Sequence, residues 1–284
     1  MKTLADSSTC LEALTMGTVG TKVILVGLAF GSMIACSPKT QYDNFIADQG
    51  YIPFQQPLAD VGVGSLLSGS PEQLRLVSPS KTCFPSTFEG MPTNLYQTTA
   101  AEMPDIAKNM SLSAGMDANI IAGNGTPLFK IKTGFTKLKT LDVHIEGATV
   151  EYLDELAFYD WVYSSYFPQA CMNYLTKNGS FIRQALRVDR MSFQFKDSKG
   201  GLIALNTGII EEIVDFEVDV KWEITNSYTL TIKTPKYVGY HLAKVDPQNP
   251  GTVAYIASDL TKKGQFDFVA VQTYTDSRGL VSSY

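Results

Sequence analysis

The chain has 284 residues, 44% of them hydrophobic and 18% charged, and a formal net charge of −5 at pH 7. That balance excludes a disordered chain, and 22 Gly and 13 Pro without a period exclude collagen-like and low-complexity classes. A pI near 5.1 with few basic clusters argues against a nucleic-acid partner held through its phosphates, and four Cys in this length exclude a disulfide-dense miniprotein.

In chain order, the first informative segment is Val23–Ala35, VILVGLAFGSMIA, an uncharged run preceded by Lys22. At about 1.5 Å per residue it reaches about 20 Å as a helix, short of the roughly 30 Å hydrocarbon core. A spanning anchor is therefore disfavoured, and the length fits the apolar core of a secretory signal. No later segment reaches the roughly 18 apolar residues that a spanning helix needs.

The run ends in Met33-Ile34-Ala35-Cys36, followed by Ser37-Pro38-Lys39. This resembles the lipobox of bacterial lipoproteins: an apolar residue, a tolerant position, a small residue, then Cys. Met33 stands where Leu is commoner. The resemblance covers the signal segment and says nothing about the fold after it. It implies that the Cys36 thiol carries diacylglycerol, that cleavage falls just before Cys36, and that the new amino group is acylated, as by palmitate. Two or three acyl chains hold a soluble domain at a membrane, where one is marginal. The alternative is an ordinary cleaved signal with a chance Cys. In enterobacteria-like cells Ser37, in place of Asp, leans toward the outer membrane, so the implied address is the cell envelope, facing the periplasm or the cell surface.

Signals usually run about 15–30 residues, so Met16 is a better start than Met1. Residues 1–15, with Cys10, then read as an upstream extension. Residues 1–35 form the signal, 36–57 a lipid-anchored tether, and 58–284 a single α+β domain. Removing 1–35 takes out Lys2, Lys22, Asp6 and Glu12, so the net charge is unchanged. The tether is polar and lacks periodicity, although Phe45, Ile46, Tyr51 and Phe54 are more apolar than a spacer needs, and the alternative is that part of it packs onto the domain.

Short strands are predicted at 64–67 and 73–77, and loop over 79–98. Leu141, Val143 and Ile145 alternate with Asp142, His144 and Glu146, a half-buried strand. Thr149 opens a predicted amphipathic helix to about Ser164, with Val150, Leu153, Leu156/Ala157 and Trp161 inward. A second helix holds Cys171, Met172 and Leu175 before Asn178-Gly179. Met191, Phe193 and Phe195 alternate next, and Asp197–Gly201 turns into Leu202–Leu205 as a hairpin. Residues 214–224, VDFEVDVKWEI, read as one antiparallel strand with Phe216, Val218, Val220, Trp222 and Ile224 inward. Tyr228, Leu230 and Ile232 face inward on the next strand, and 237–245 and 266–274 continue the meander. The fold class is α+β, a mainly antiparallel sheet with a two-helix insertion around 149–178.

Cys83 and Cys171 are the thiols left after Cys36 is lipidated. In an oxidising compartment they form a possible disulfide, whose long loop is worth about 4–5 kcal/mol in the chain-entropy model. The alternative is two buried free thiols. His144 and Asp142 share a strand face, so an oriented general base is conceivable. No Gly-x-Ser-x-Gly, His-Glu-x-x-His, Walker A or Gly-x-Gly-x-x-Gly pattern accompanies it, so no catalytic residue, metal ligand or cofactor is assigned. The simpler reading of His144 and His241 is two solvated sheet-face histidines. Asp215, Glu217 and Asp219, after Glu211-Glu212, form an acidic row that reads as a wet sheet face rather than a calcium site.

Phe158, Tyr159, Trp161, Tyr163, Tyr166 and Phe167 are denser than one helix face can bury. Either a second layer covers them or part of the run is an exposed binding surface. Three functions remain. The first is a non-enzymatic lipoprotein that binds a protein partner or ligand. The second is an immunity or inhibitor lipoprotein, and the third an anchored hydrolase with an unrecognised site.

Overall fold

The structure, a computed structural model, describes residues 38–283 apart from 56–57, 59, 102–107, 112–117, 122–126, 133–136, 217–219, 234–235, 272 and 276–280. Cys36, Ser37 and the signal segment lie outside the described residues, as do Glu217 and Asp219.

The first half carries α1 (Pro38–Asp48), β1 (Ile52–Pro53), β2 (Leu66–Ser68), β3 (Arg75–Ser78), β4 (Thr87–Phe88), β5 (Met91–Pro92), β6 (Tyr96–Ala100), β7 (Lys108–Ser111), β8 (Ala118–Ile121) and β9 (Pro127–Ile131). Next come β10 (Thr140–Leu153), α2 (Glu155–Tyr163), α3 (Gln169–Thr176), β11 (Ser180–Lys196), α4 (Thr207–Ile213), β12 (Val214–Phe216), β13 (Trp222–Asn226) and β14 (Thr229–Ile232). The chain ends with β15 (Lys236–Asp246), β16 (Asn249–Ala257), β17 (Val269–Ala270), β18 (Thr273–Thr275) and β19 (Val281–Ser283). Among the described residues antiparallel sheet predominates over the four α-helices, so the fold is α+β with the sheet more dominant than the sequence suggested.

Strand β11 is the spine. On one edge it pairs with β10, whose far edge carries β6 and β7, and on the other with β15 and β14. The sheet continues from β15 to β16 and β17, and from β14 to β13, every pairing antiparallel. Leu141, Val143 and Ile145 lie opposite Phe195, Phe193 and Met191, all six buried. Alternation puts their apolar side chains on the core face and Asp142, His144 and Glu146 on the other.

That phase does not persist. Ala148 and Val150, two even-numbered positions, pack against the same core as the odd-numbered Ile145. Between them Gly147 has φ +64°, a conformation open to glycine, and Asp189 Cβ would lie 3.3 Å from any Cβ placed there. The partner strand re-phases at the same level, from Leu186 and Val188 to Met191, Phe193 and Phe195. The chain thus remains a strand through Leu153, whose partner is Tyr96. The predicted helix from Thr149 is corrected: helix begins only at Glu155.

Two apolar clusters result. One lies beneath α1 and α4 and includes Tyr42, Ile46, Phe193, Ile210 and Ile213. The other lies beneath α2 and α3 and includes Phe84, Phe158, Leu175, Phe181 and Leu242. The described part of 36–57 packs onto the domain. Tyr42, Phe45 and Ile46 recur at helical spacing and are buried, and Ile52 and Pro53 pair with Tyr240 and Gly239. The apolar residues that looked excessive for a spacer are core.

Three further expectations change. The strand predicted over 214–224 is divided: β12 pairs with β9 in a separate three-stranded sheet, whereas β13 pairs with β14. Phe216 still stacks on Trp222, their ring centroids 4.9 Å apart. Tyr228 is exposed rather than inward, because it sits in the turn before β14. Leu202 makes an isolated bridge to Lys196 rather than a full hairpin arm, and α4 follows, capped by Asn206 Oδ1 accepting from Ile209 N–H at 2.9 Å.

His241 is not a freely solvated histidine. Its ring stacks on Tyr51 at 4.6 Å, and its Nε2 lies 2.7 Å from the Gly50 carbonyl oxygen. Burial holds its basicity below the usual imidazole value of 6.5, with Arg183 adding to the effect and the Gly50 carbonyl opposing it. The unfolded chain therefore binds the proton more readily, so stability is complete above the ordinary value and declines as pH falls below it. Thermal melts followed by circular dichroism between about pH 7 and pH 5 are expected to drop less steeply for His241→Gln than for the wild type. Parallel slopes would show that this ring does not govern acid sensitivity.

Candidate functional site

Helix α2 starts where Asp154 leaves the strand. Its Oδ1 accepts from Ala157 N–H at 2.9 Å, and Glu155 in the first turn suits the helix dipole. The helix ends at Ser164, whose Oγ donates to the Trp161 carbonyl at 2.7 Å. Pro168 then occupies the position before the first turn of α3.

The six aromatic residues divide by helical phase. Phe158 is buried, with Val162 one turn on, and its ring stacks on Phe181 at 5.3 Å and meets Phe84 at 5.4 Å. Phe167 is buried beside Phe84. Trp161 is half-buried, and its Nε1 donates to the Cys83 carbonyl at 2.9 Å. Tyr159, Tyr163 and Tyr166 are exposed by 46%, 47% and 57%. The run is thus part core and part surface.

Two residues that sequence reasoning did not assign to the surface complete it. Leu156, expected inward, is 78% exposed, because a helix that begins at Glu155 buries Phe158 and Val162 instead. Tyr255 projects from β16, far away in the sequence. Tyr159 and Tyr163 lie over Gly251 of β16, where an added Cβ would fall 2.4 Å from Tyr163 and 2.9 Å from Tyr159. Glycine at this position lets both rings approach the strand backbone. The Tyr163 hydroxyl also donates to Asn249 Oδ1.

Hollows flank α2 on two sides. One, of about 590 Å3, lies between α2 and β16 and is lined by Leu156, Tyr159, Val253 and Tyr255 with Glu155 and Asp246. The other, of about 430 Å3, lies between α2 and the β4–β5 hairpin and is lined by Phe88, Met91, Ala157 and Trp161 with Asp160. Phe88 of the second hollow packs on both Trp161 and Tyr166. Most of the large apolar side chains exposed on the described residues gather in this region.

The structure joins Cys83 to Cys171 by a disulfide, with the Cα atoms 5.8 Å apart. It ties the segment after β3 to the first turn of α3, next to Phe84.

The polar sheet face forms a third hollow, of about 500 Å3, lined by His144, Glu146, Arg190, Ser192 and Thr231 among others. His144 and Ser192 are cross-strand partners. The Ser192 hydroxyl pairs with that of Thr231 at 3.2 Å, and Thr231 with Thr225 at 2.5 Å. Arg190 holds Glu146 at 3.1 Å and Lys233 holds Glu223 at 2.7 Å. Asp142, the expected orienting partner of His144, is held instead by Lys196 at 2.5 Å. In the acidic row, Asp215 pairs with Lys132 at 2.8 Å. Among the described residues no group of three or more His, Cys, Asp or Glu is placed to hold a metal ion, and no helix is long and apolar enough to cross a membrane.

The chain matches no protein-family model and no curated protein sequence. Among solved structures it is similar to a bacterial gasdermin from Bradyrhizobium tropiciagri, with a TM-score of 0.39 and 11% identity over 82% of this chain and 93% of that one. A likeness of that size carries no argument about what this chain does.

Proposed function

We propose that the chain is an exported bacterial lipoprotein, held to a membrane by acyl chains on Cys36, whose α+β domain is non-enzymatic and binds a protein partner through the exposed face of α2. The observation that carries the binding part is the clustering of exposed apolar side chains around α2, with Leu156, Tyr159 and Tyr255 at one hollow, Met91 at the other, and Tyr166 packed on Phe88 beside it. Contiguous exposed apolar surface of this kind marks interaction sites, whereas single exposed apolar residues do not. Export is supported by the lipobox-like segment and by a disulfide, a bond that persists in oxidising compartments. Ser37 favours the outer membrane.

In this reading the anchor is short. One residue, Ser37, separates Cys36 from Pro38, where α1 begins, and the two Cα steps between them span at most about 7 Å. The lipid then holds the domain beside the bilayer rather than on a free tether.

Fractionation tests the anchor. Cys36→Ala is expected to move the protein from membranes to the soluble fraction, and unchanged retention would refute lipidation. Affinity capture from detergent-solubilised membranes tests the docking face. A partner recovered with the intact lipoprotein should be lost with Leu156→Ser/Tyr159→Ser. Ester turnover by the purified domain that disappears in Ser192→Ala would instead favour the hydrolase reading, for which the His144–Ser192 pairing is the supporting observation.

A further inference from the structure

We infer that the partner presents a basic amphipathic segment, with Lys or Arg interleaved among aliphatic residues, to the two hollows that flank α2. The inference rests on the docking reading above and specifies the chemistry of what docks.

Charge complementarity around an apolar floor defines this partner. Carboxylates line both hollows: two, Glu155 and Asp246, beside β16, and one, Asp160, beside the β4–β5 hairpin. No Lys or Arg occurs among the described residues that line either hollow. Glu155 already has a cation, Arg183 at 3.0 Å, so it contributes less net field than the other two. Asp246 Oδ1 accepts one backbone N–H, from Gln248 at 2.9 Å, which still leaves acceptor capacity on the carboxylate.

Between the acids lie Leu156 and the rings of Tyr159 and Trp161. A Lys or Arg side chain suits such a border, because its aliphatic stem covers apolar surface while its charged head reaches the rim. A guanidinium also gains from the face of an exposed tyrosine. The chain's net charge of −5 adds a long-range field that speeds the approach of a cationic segment. An anionic bilayer is disfavoured at this face, because the same carboxylates would lie against its phosphates.

A pair of synthetic 18-residue peptides tests this on the full chain. One is built of Leu and Lys in helical amphipathic order, and the other carries Glu at every Lys position. Tryptophan fluorescence and calorimetry read the binding. The Lys peptide is expected to bind, the Glu peptide at least about tenfold more weakly, and the affinity of the Lys peptide to fall as salt rises from about 50 to 500 mM. Leu156→Ser/Tyr159→Ser should weaken the Lys peptide about tenfold or more, as loss of a central apolar contact does. Asp160→Asn/Asp246→Asn should weaken it by a smaller factor and flatten the salt dependence. Leu156, Tyr159 and Asp160 are exposed and Asp246 is half-buried, and unchanged circular dichroism and melting would establish that the variants fold.

Equal binding of both peptides overturns the inference. So does Lys-peptide binding that neither double variant alters, because that would be unspecific attraction to an acidic protein. Preferential binding to vesicles of anionic phospholipid, abolished by Leu156→Ser/Tyr159→Ser, overturns it in favour of a lipid surface. A membrane partner captured through Leu156 and Tyr159, with no affinity for the Lys peptide, overturns the basic chemistry while the docking reading stands.

Discussion

Cys83→Ser/Cys171→Ser is expected to melt roughly 6–12 °C below the wild type, and the wild type treated with a thiol reductant should fall to the same temperature. The cross-link spans 88 positions, for which the chain-entropy model gives about 4–5 kcal/mol, and measured values for such bonds centre on about 2–4 kcal/mol. For a domain of this size about 3 kcal/mol corresponds to a shift of roughly 6–12 °C. The bond also has local work. Cys83 precedes Phe84, whose ring packs against Phe158, Phe167 and Phe181, and the Cys83 carbonyl accepts the indole N–H of Trp161. Releasing Cys83 from α3 loosens the cover over the inner side of α2 as well as enlarging the unfolded ensemble. Equal melting temperatures with and without reductant, in a sample whose thiols resist alkylation before reduction, would show that the bond contributes nothing to stability.

The sheet was legible wherever one face is wet and one is dry. Residues 141–145 and 191–195 alternate without interruption, and the structure pairs them with each other. The errors cluster where the alternation changes phase. Val150, Leu153, Ala157 and Trp161 mimic a helical stripe, but only because Gly147 resets the strand by one position before a true helix begins six residues later than expected. A period of 3.6 and a re-phased period of 2 give similar short patterns, and tertiary pairing with β6 and β11 decides between them. Helix α1 was hidden for a different reason. Its first turns are polar, and its buried residues cover a sheet assembled from segments far along the chain.

The candidate site was half legible. Composition alone marked 158–167 as too aromatic for one buried face, and three tyrosines do reach the surface. What sequence could not supply was the other wall. Val253 and Tyr255 come from β16 and Met91 from a two-residue strand in a stretch that reads as loop. Gly251 offered a faint signal, since a glycine inside a strand pattern often marks a close approach by another group. Nothing in the sequence identified the approaching group as Tyr159 and Tyr163. The polar hollow around His144 shows the opposite pattern. Its residues alternate plainly in sequence, and the structure adds the cross-strand pairing of His144 with Ser192 but places Asp142 with Lys196.

Phe158→Ala is expected to cost about 3–5 kcal/mol, the range for deleting a buried phenylalanine, and to lower the melting temperature by roughly 10 °C or more. The ring is 2% exposed and stacks on Phe181, with Phe84 on another side, so truncation leaves a cavity whose walls are themselves held by the sheet and the disulfide. Such walls relax little, which places the cost toward the upper end. Tyr159, one residue further along the same helix, provides the contrast. It is 46% exposed, and Tyr159→Ser should alter stability by less than about 1 kcal/mol while weakening whatever docks on α2. If Phe158→Ala melts within about 2 °C of the wild type, α2 is not seated by its apolar face. The partition of the aromatic run into anchor and surface would then be wrong. If instead Phe158→Ala is strongly destabilised and Tyr159→Ser is not, adjacent aromatic residues serve separate ends: one fixes the helix, and the other is left available because the first already holds it.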